Sequence, residues 1–115
     1  MSYMLLIVEP AGQRRTRSGD EGRNLYQRML DYTRRLETQG VLLASNSLRE
    51  ASVRLDVRAG KARVTDGPFT EAKELVGGFF LLDCASREEA LKLAGECPAA
   101  EWASVEVRET GPCYE

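Results

Sequence analysis

The chain has 115 residues, of which 43% are hydrophobic and 30% charged, with 10 Gly and 4 Pro. This suits one domain over residues 1–115, large enough to bury a core without metal or disulfide support, and it excludes collagen-like and strongly disordered classes. Sixteen Lys and Arg against eighteen Asp and Glu give a net charge of −2, a field that disfavours a nucleic-acid partner. The signs are uneven: ten Arg and seven acids make residues 1–58 +3, whereas six bases and eleven acids make residues 59–115 −5. Arg14, Arg15 and Arg17 cluster ahead of the first helix, without interleaved aromatics, and read as a solvated loop.

No His is present, which removes the usual base of Ser and Cys nucleophiles and the commonest zinc ligand. Chemistry must then fall to carboxylates, Lys, Arg, Tyr or thiols. Cys84, Cys97 and Cys113 are odd in number and lack a CxxC pair, so neither a metal site nor a disulfide framework is expected. Cys84 and Cys97 sit in apolar runs and read as buried; Cys113 reads as exposed. No cofactor motif is present. The longest apolar run, Met4 to Val8, falls far short of the roughly 18 residues of a membrane span, and without an apolar signal core the expected location is cytoplasmic.

In chain order, Tyr3 to Val8 is an apolar run of strand formers, ended by Glu9 and Pro10. Residues 20–39 repeat Leu25, Met29, Tyr32 and Leu36 at helical spacing, with Asp20 and Glu21 at the positive end and Gly40 as the stop. Tyr26 and Tyr32 read as packing residues. Val41 to Ala44 is a second strand that frays through Ser45, Asn46 and Ser47. Val53, Leu55 and Val57 alternate with charged residues as a half-buried strand does, and Ala59-Gly60-Lys61 turns it back into Ala62 to Thr65. Phe79 to Cys84 is another apolar strand, Ser86 with Glu89 is a capping box for a helix ended by Pro98, and Val105 and Val107 mark a last strand. This order predicts an α+β fold, the ferredoxin-like split βαβ with one antiparallel sheet and both helices on one face. The first and fifth strands are apolar on both faces, so a second copy is the simplest cover for the face without helices.

The segment Asp66-Gly67-Pro68-Phe69-Thr70-Glu71-Ala72-Lys73-Glu74 resembles the signature of the DGPF group of the YCII-related family. The likeness continues in Tyr3-Met4-Leu5-Leu6, Val53-Arg54, Gly77-Gly78-Phe79-Phe80 and Val105-Glu106-Val107-Arg108, over nearly the whole chain. It implies a dimeric α-β barrel, a homodimer packed sheet to sheet, and a small-molecule ligand or substrate. Some members of that family carry a His and Asp pair in a cleft, which a chain without His cannot reproduce. Association with extracytoplasmic-function sigma factors is a further implication, and with it a non-catalytic regulatory or protein-interaction module is the alternative.

Two readings of the motif stand side by side. In one, Gly67 and Pro68 shape a turn that Asp66 caps and Phe69 anchors. In the other, Asp66 and Glu71 are acid-base groups in a cleft under the loop, with Lys73 and Glu74 holding a ligand. Arg54 and Arg58 share a strand face and are further candidates for an anionic ligand.

Overall fold

The computed structural model describes residues 1–67 and 72–115. Its elements are β1 (Ser2–Pro10), α1 (Gly19–Thr38), β2 (Leu42–Ser47), β3 (Val53–Arg58), β4 (Lys61–Asp66), β5 (Glu74–Asp83), α2 (Arg87–Gly95) and β6 (Ser104–Glu109), with 3₁₀ turns at Gln13–Thr16 and Pro98–Glu101. Four strands form an antiparallel sheet in the order β2-β5-β1-β6. This is the ferredoxin-like split βαβ arrangement, with β3 and β4 inserted as a separate hairpin between β2 and β5.

Strand alternation places the core. Tyr3, Leu5 and Ile7 of β1 and Phe80 and Leu82 of β5 turn to the helices and are buried with Tyr32, Leu36, Ala90 and Leu93. Tyr32 meets Phe80 edge to face at 5.2 Å, and its hydroxyl donates to the Leu93 carbonyl at 2.7 Å, tying α1 to α2. That burial pushes the Tyr32 phenol well above its ordinary pKa. The second helix starts at the capping box the sequence expects, and the first starts one residue earlier than expected, behind a Ser18 cap. Ser18 Oγ accepts from the Glu21 N–H, Ser86 Oγ accepts from the Glu89 N–H, and Glu89 in return accepts from the Ala85 N–H. Cys84 and Cys97 are buried and Cys113 is exposed; burial raises the first two thiols.

On the opposite face, Met4, Leu6 and Val8 stand across from Leu81, Phe79 and Val76, and no described element covers them. The hairpin departs from expectation. Its period of two is as read, but Val53, Leu55, Val57 and Val64 are 54–63% exposed rather than half-buried. Leu55 opposes Val64 and Val57 opposes Ala62, so one face of this ribbon is apolar and uncovered among the described residues. The turn uses positive φ at Ala59 (50°) and Gly60 (74°), as a two-residue hairpin turn requires. With the ribbon projecting, the radius of gyration is 16.1 Å, against about 13 Å for a compact chain of this length.

Candidate ligand-binding site

Continuing the parity of β1 past Tyr3, Leu5 and Ile7 brings Glu9 to the helix side, where it is 5% exposed. A carboxylate there needs a cation, and the Gln13–Thr16 turn supplies one. Arg14 Nε donates to Glu9 Oε2 at 3.0 Å and Nη2 to Oε1 at 2.6 Å, a bidentate fork. The same guanidinium donates to the carbonyls of Leu48 (2.8 Å) and Gly77 (3.3 Å), joining the ends of β1, β2 and β5. Arg14 is thus a half-buried structural cation, not the solvated loop residue its neighbours in sequence suggest.

Room for this pair comes from β5. The β1–β5 register steps from Ile7 opposite Gly78 to Val8 opposite Val76, leaving Gly77 as the extra residue of a bulge. A Cβ on Gly77 would lie 1.6 Å from Glu9 Oε1 and 2.7 Å from Arg14 Nη2. Here glycine is required by space.

The pair borders a cavity of about 610 Å³ between α1 and the β2–β5 side of the sheet. Ile7, Leu25, Met29, Leu30, Phe80 and Trp102 give it apolar walls, while Ser45, Asn46, Ser47, Tyr26 and Arg17 add polar groups. Such a volume with few convergent polar groups is typical of small-molecule sites. The Trp102 ring lies 5.9 Å from the Arg17 guanidinium and 5.5 Å from that of Arg28. Arg28 also pairs with Glu101, and this bond holds the Glu101 carboxyl below, and the Arg28 guanidinium above, their ordinary pKa values.

The residues singled out by the motif lie elsewhere. Arg54 and Arg58 are exposed on β3, Asp66 is exposed at the end of β4, and Lys73, just before β5, and Glu74, its first residue, are exposed. None of the five lines the cavity. Arg58 stands 3.8 Å from Asp56, Asp66 pairs in register with Val53, and Glu74 pairs with Pro10. Glu71, with Pro68, Phe69 and Thr70, lies outside the described residues, as does the core anchor expected of Phe69. Tyr26, expected as a packing residue, is 54% exposed at the cavity. Sequence reasoning also passed over Glu9 as a strand terminator, Ser45 to Ser47 as a frayed end, and Trp102 altogether. The signal for Glu9 was its odd-numbered place in the β1 run.

Comparison with known proteins gives three findings. A protein of uncharacterised function from Rhizobium meliloti (strain 1021) is 52% identical over 44 residues, 38% of this chain and 36% of that protein. The match therefore spans about a third of the relative's length. The fold is similar to that of 5-chloro-2-hydroxyhydroquinone dehydrochlorinase from Burkholderia phenoliruptrix AC1100, solved with 2,5-dihydroxybenzoquinone, at a TM-score of 0.58 and 15% identity over 96% of this chain and 94% of that one. The YCII-related domain matches residues 1–112. With nearly its full length matched and the sheet order that such a domain implies, the chain belongs to the YCII-related family.

Proposed function

We propose that this chain binds a small organic molecule in the cavity between α1 and the sheet, as a ligand-binding or carboxylate-based enzyme domain. The observation that carries the reading is the 610 Å³ space with the buried Glu9–Arg14 pair at its edge. The dehydrochlorinase of like fold, held with a quinone, supports the substrate class. On the enzyme reading, the acid-base carboxylate is either Glu9 or one from the Asp66–Glu74 segment. We keep Asp66 and Glu71 as proposed acid-base groups, and Arg54, Arg58, Lys73 and Glu74 as proposed ligand contacts. The bond from the Ala11 N–H to the Lys73 carbonyl (2.9 Å) ties the end of that segment beside β1 near Glu9 and supports its residues; Arg54 and Arg58, on β3, rest on their shared strand face alone.

The test uses Gly22, which lines the cavity and whose added Cβ would meet nothing within 4 Å. Gly22→Phe should fill the space without disturbing the core. Calorimetric titration with 2,5-dihydroxybenzoquinone should show binding to the parent chain, weakened by about tenfold or more in the variant because a filled site excludes the ligand. Equal affinity in both proteins would remove the cavity from the reading.

We further propose that two copies pack across the sheet face bearing Met4, Leu6, Val8, Phe79 and Leu81. A face this apolar is costly to leave in water, and its cover should bury more than about 1,000 Å² in total. Sedimentation at micromolar concentration should give a dimer; a monomer would refute the packing. The uncovered apolar face of the hairpin favours a second reading, a protein-interaction module without catalysis. An intact dimer that ignores every small molecule offered would favour it.

A further inference from the structure

The charge of the cavity is unbalanced. Among the described residues its lining holds three charged side chains, Glu9, Arg14 and Arg17. The first two neutralise each other through the bidentate fork. Arg17 has no carboxylate within ion-pair distance among the described residues, and its side chain makes no hydrogen bond there. Its guanidinium lies over the Trp102 ring, and among the described residues its N–H donors have no oxygen acceptor. A half-buried guanidinium beside an apolar wall is selective for a planar anion, which can take two parallel N–H bonds. Ser18 and Gly19 bring the positive end of α1 to the same wall and add to the field.

We propose that the cavity takes a small ring compound bearing an anionic oxygen group, with those oxygens on Arg17 and the ring against Trp102, Met29 and Leu25. The assignment rests on the cavity being the ligand site proposed above. Arg17 sets the charge preference, and the Glu9–Arg14 pair forms a neutral edge. Trp102 is the single tryptophan of the chain, so its emission reports an occupant directly. The probes are benzoate and its neutral isostere benzamide, titrated at low salt into the parent protein, Arg17→Gln and Arg17→Lys.

Benzoate should shift the emission saturably and bind the parent about tenfold more tightly than benzamide, as a charge-assisted bond at a partly desolvated site does. Arg17→Gln should erase that preference, and Arg17→Lys should keep part of it. Equal binding of the two probes by the parent, or a preference that survives in Arg17→Gln, overturns the anion assignment while the cavity remains a ligand site. If neither probe binds at millimolar concentration, 2,5-dihydroxybenzoquinone, a vinylogous acid ionised at neutral pH, decides: equal affinity for the parent and Arg17→Gln overturns the anion assignment, and failure to bind the parent overturns it together with the cavity reading. Should Arg17→Gln not fold, the benzoate-to-benzamide ratio of the parent decides alone.

Discussion

Gly77→Ala should cost the protein about 3–5 kcal/mol, the loss expected when a buried ion pair is forced apart and its carboxylate left without a partner. A Cβ at this position falls 1.6 Å from Glu9 Oε1, and the atom in its way belongs to a 5% exposed residue whose carboxylate the Arg14 fork holds in place. Arg14 Nη2 is the next obstacle at 2.7 Å. Urea unfolding followed by far-UV circular dichroism gives the number. Gly22→Ala is the control, since its Cβ meets nothing within 4 Å and a helix position gains up to about 1 kcal/mol from alanine. Combining Gly77→Ala with Glu9→Ala should recover part of the loss, because the colliding carboxylate is gone. A Gly77→Ala protein of full stability would mean that the bulge does not hold the pair as described.

Arg14→Leu should be nearly as damaging, at about 3 kcal/mol, for a different reason. The substitution fits sterically but removes four donated hydrogen bonds and leaves the Glu9 side chain, 7% exposed, facing an apolar neighbour. The Arg14 side chain is 36% exposed, so solvent holds the loss below that of a fully buried pair. Replacing both residues, Glu9→Leu with Arg14→Leu, should restore most of the stability, since an apolar pair of similar volume avoids the desolvation of two charges. The comparison of single and double variants in a thermodynamic cycle isolates the coupling. If Glu9→Leu/Arg14→Leu is no more stable than Arg14→Leu, the pair is not coupled and the junction is held by packing alone.

The fold was largely legible because its signals are local. Tyr3 to Val8 carries the apolar run of a central strand, residues 20–39 a helical stripe, and Ser86 and Glu89 a reciprocal cap, and each of these elements forms. The site was not legible, because it exists only where distant segments meet. Glu9 and Arg14 look unremarkable until β5 brings Gly77 beside them, and the walls come from residues as far apart as Ile7 and Trp102. The motif points away from the cavity. Asp66, Lys73 and Glu74 are the chemically conspicuous residues, yet they lie exposed at strand ends, while the buried acid stands in a strand of otherwise apolar residues. Parity along β1 was the available clue, since a charged residue on the inward register must meet a countercharge.

The projecting hairpin makes the cooperativity of unfolding uneven along the chain. Six register pairs hold β3 to β4, with the Gly67 N–H on the Ser52 carbonyl at 2.8 Å closing the base, and among the described residues no core packs on either face. A two-stranded ribbon of this kind is marginal by itself. In a lone copy its amides exchange with solvent through local opening, long before those of β1 and β5, whose exchange waits for global unfolding. One melting temperature therefore describes the four-stranded sheet and its helices but not residues 53–66. Anything that settles on Leu55 and Val64 would merge the two transitions into one.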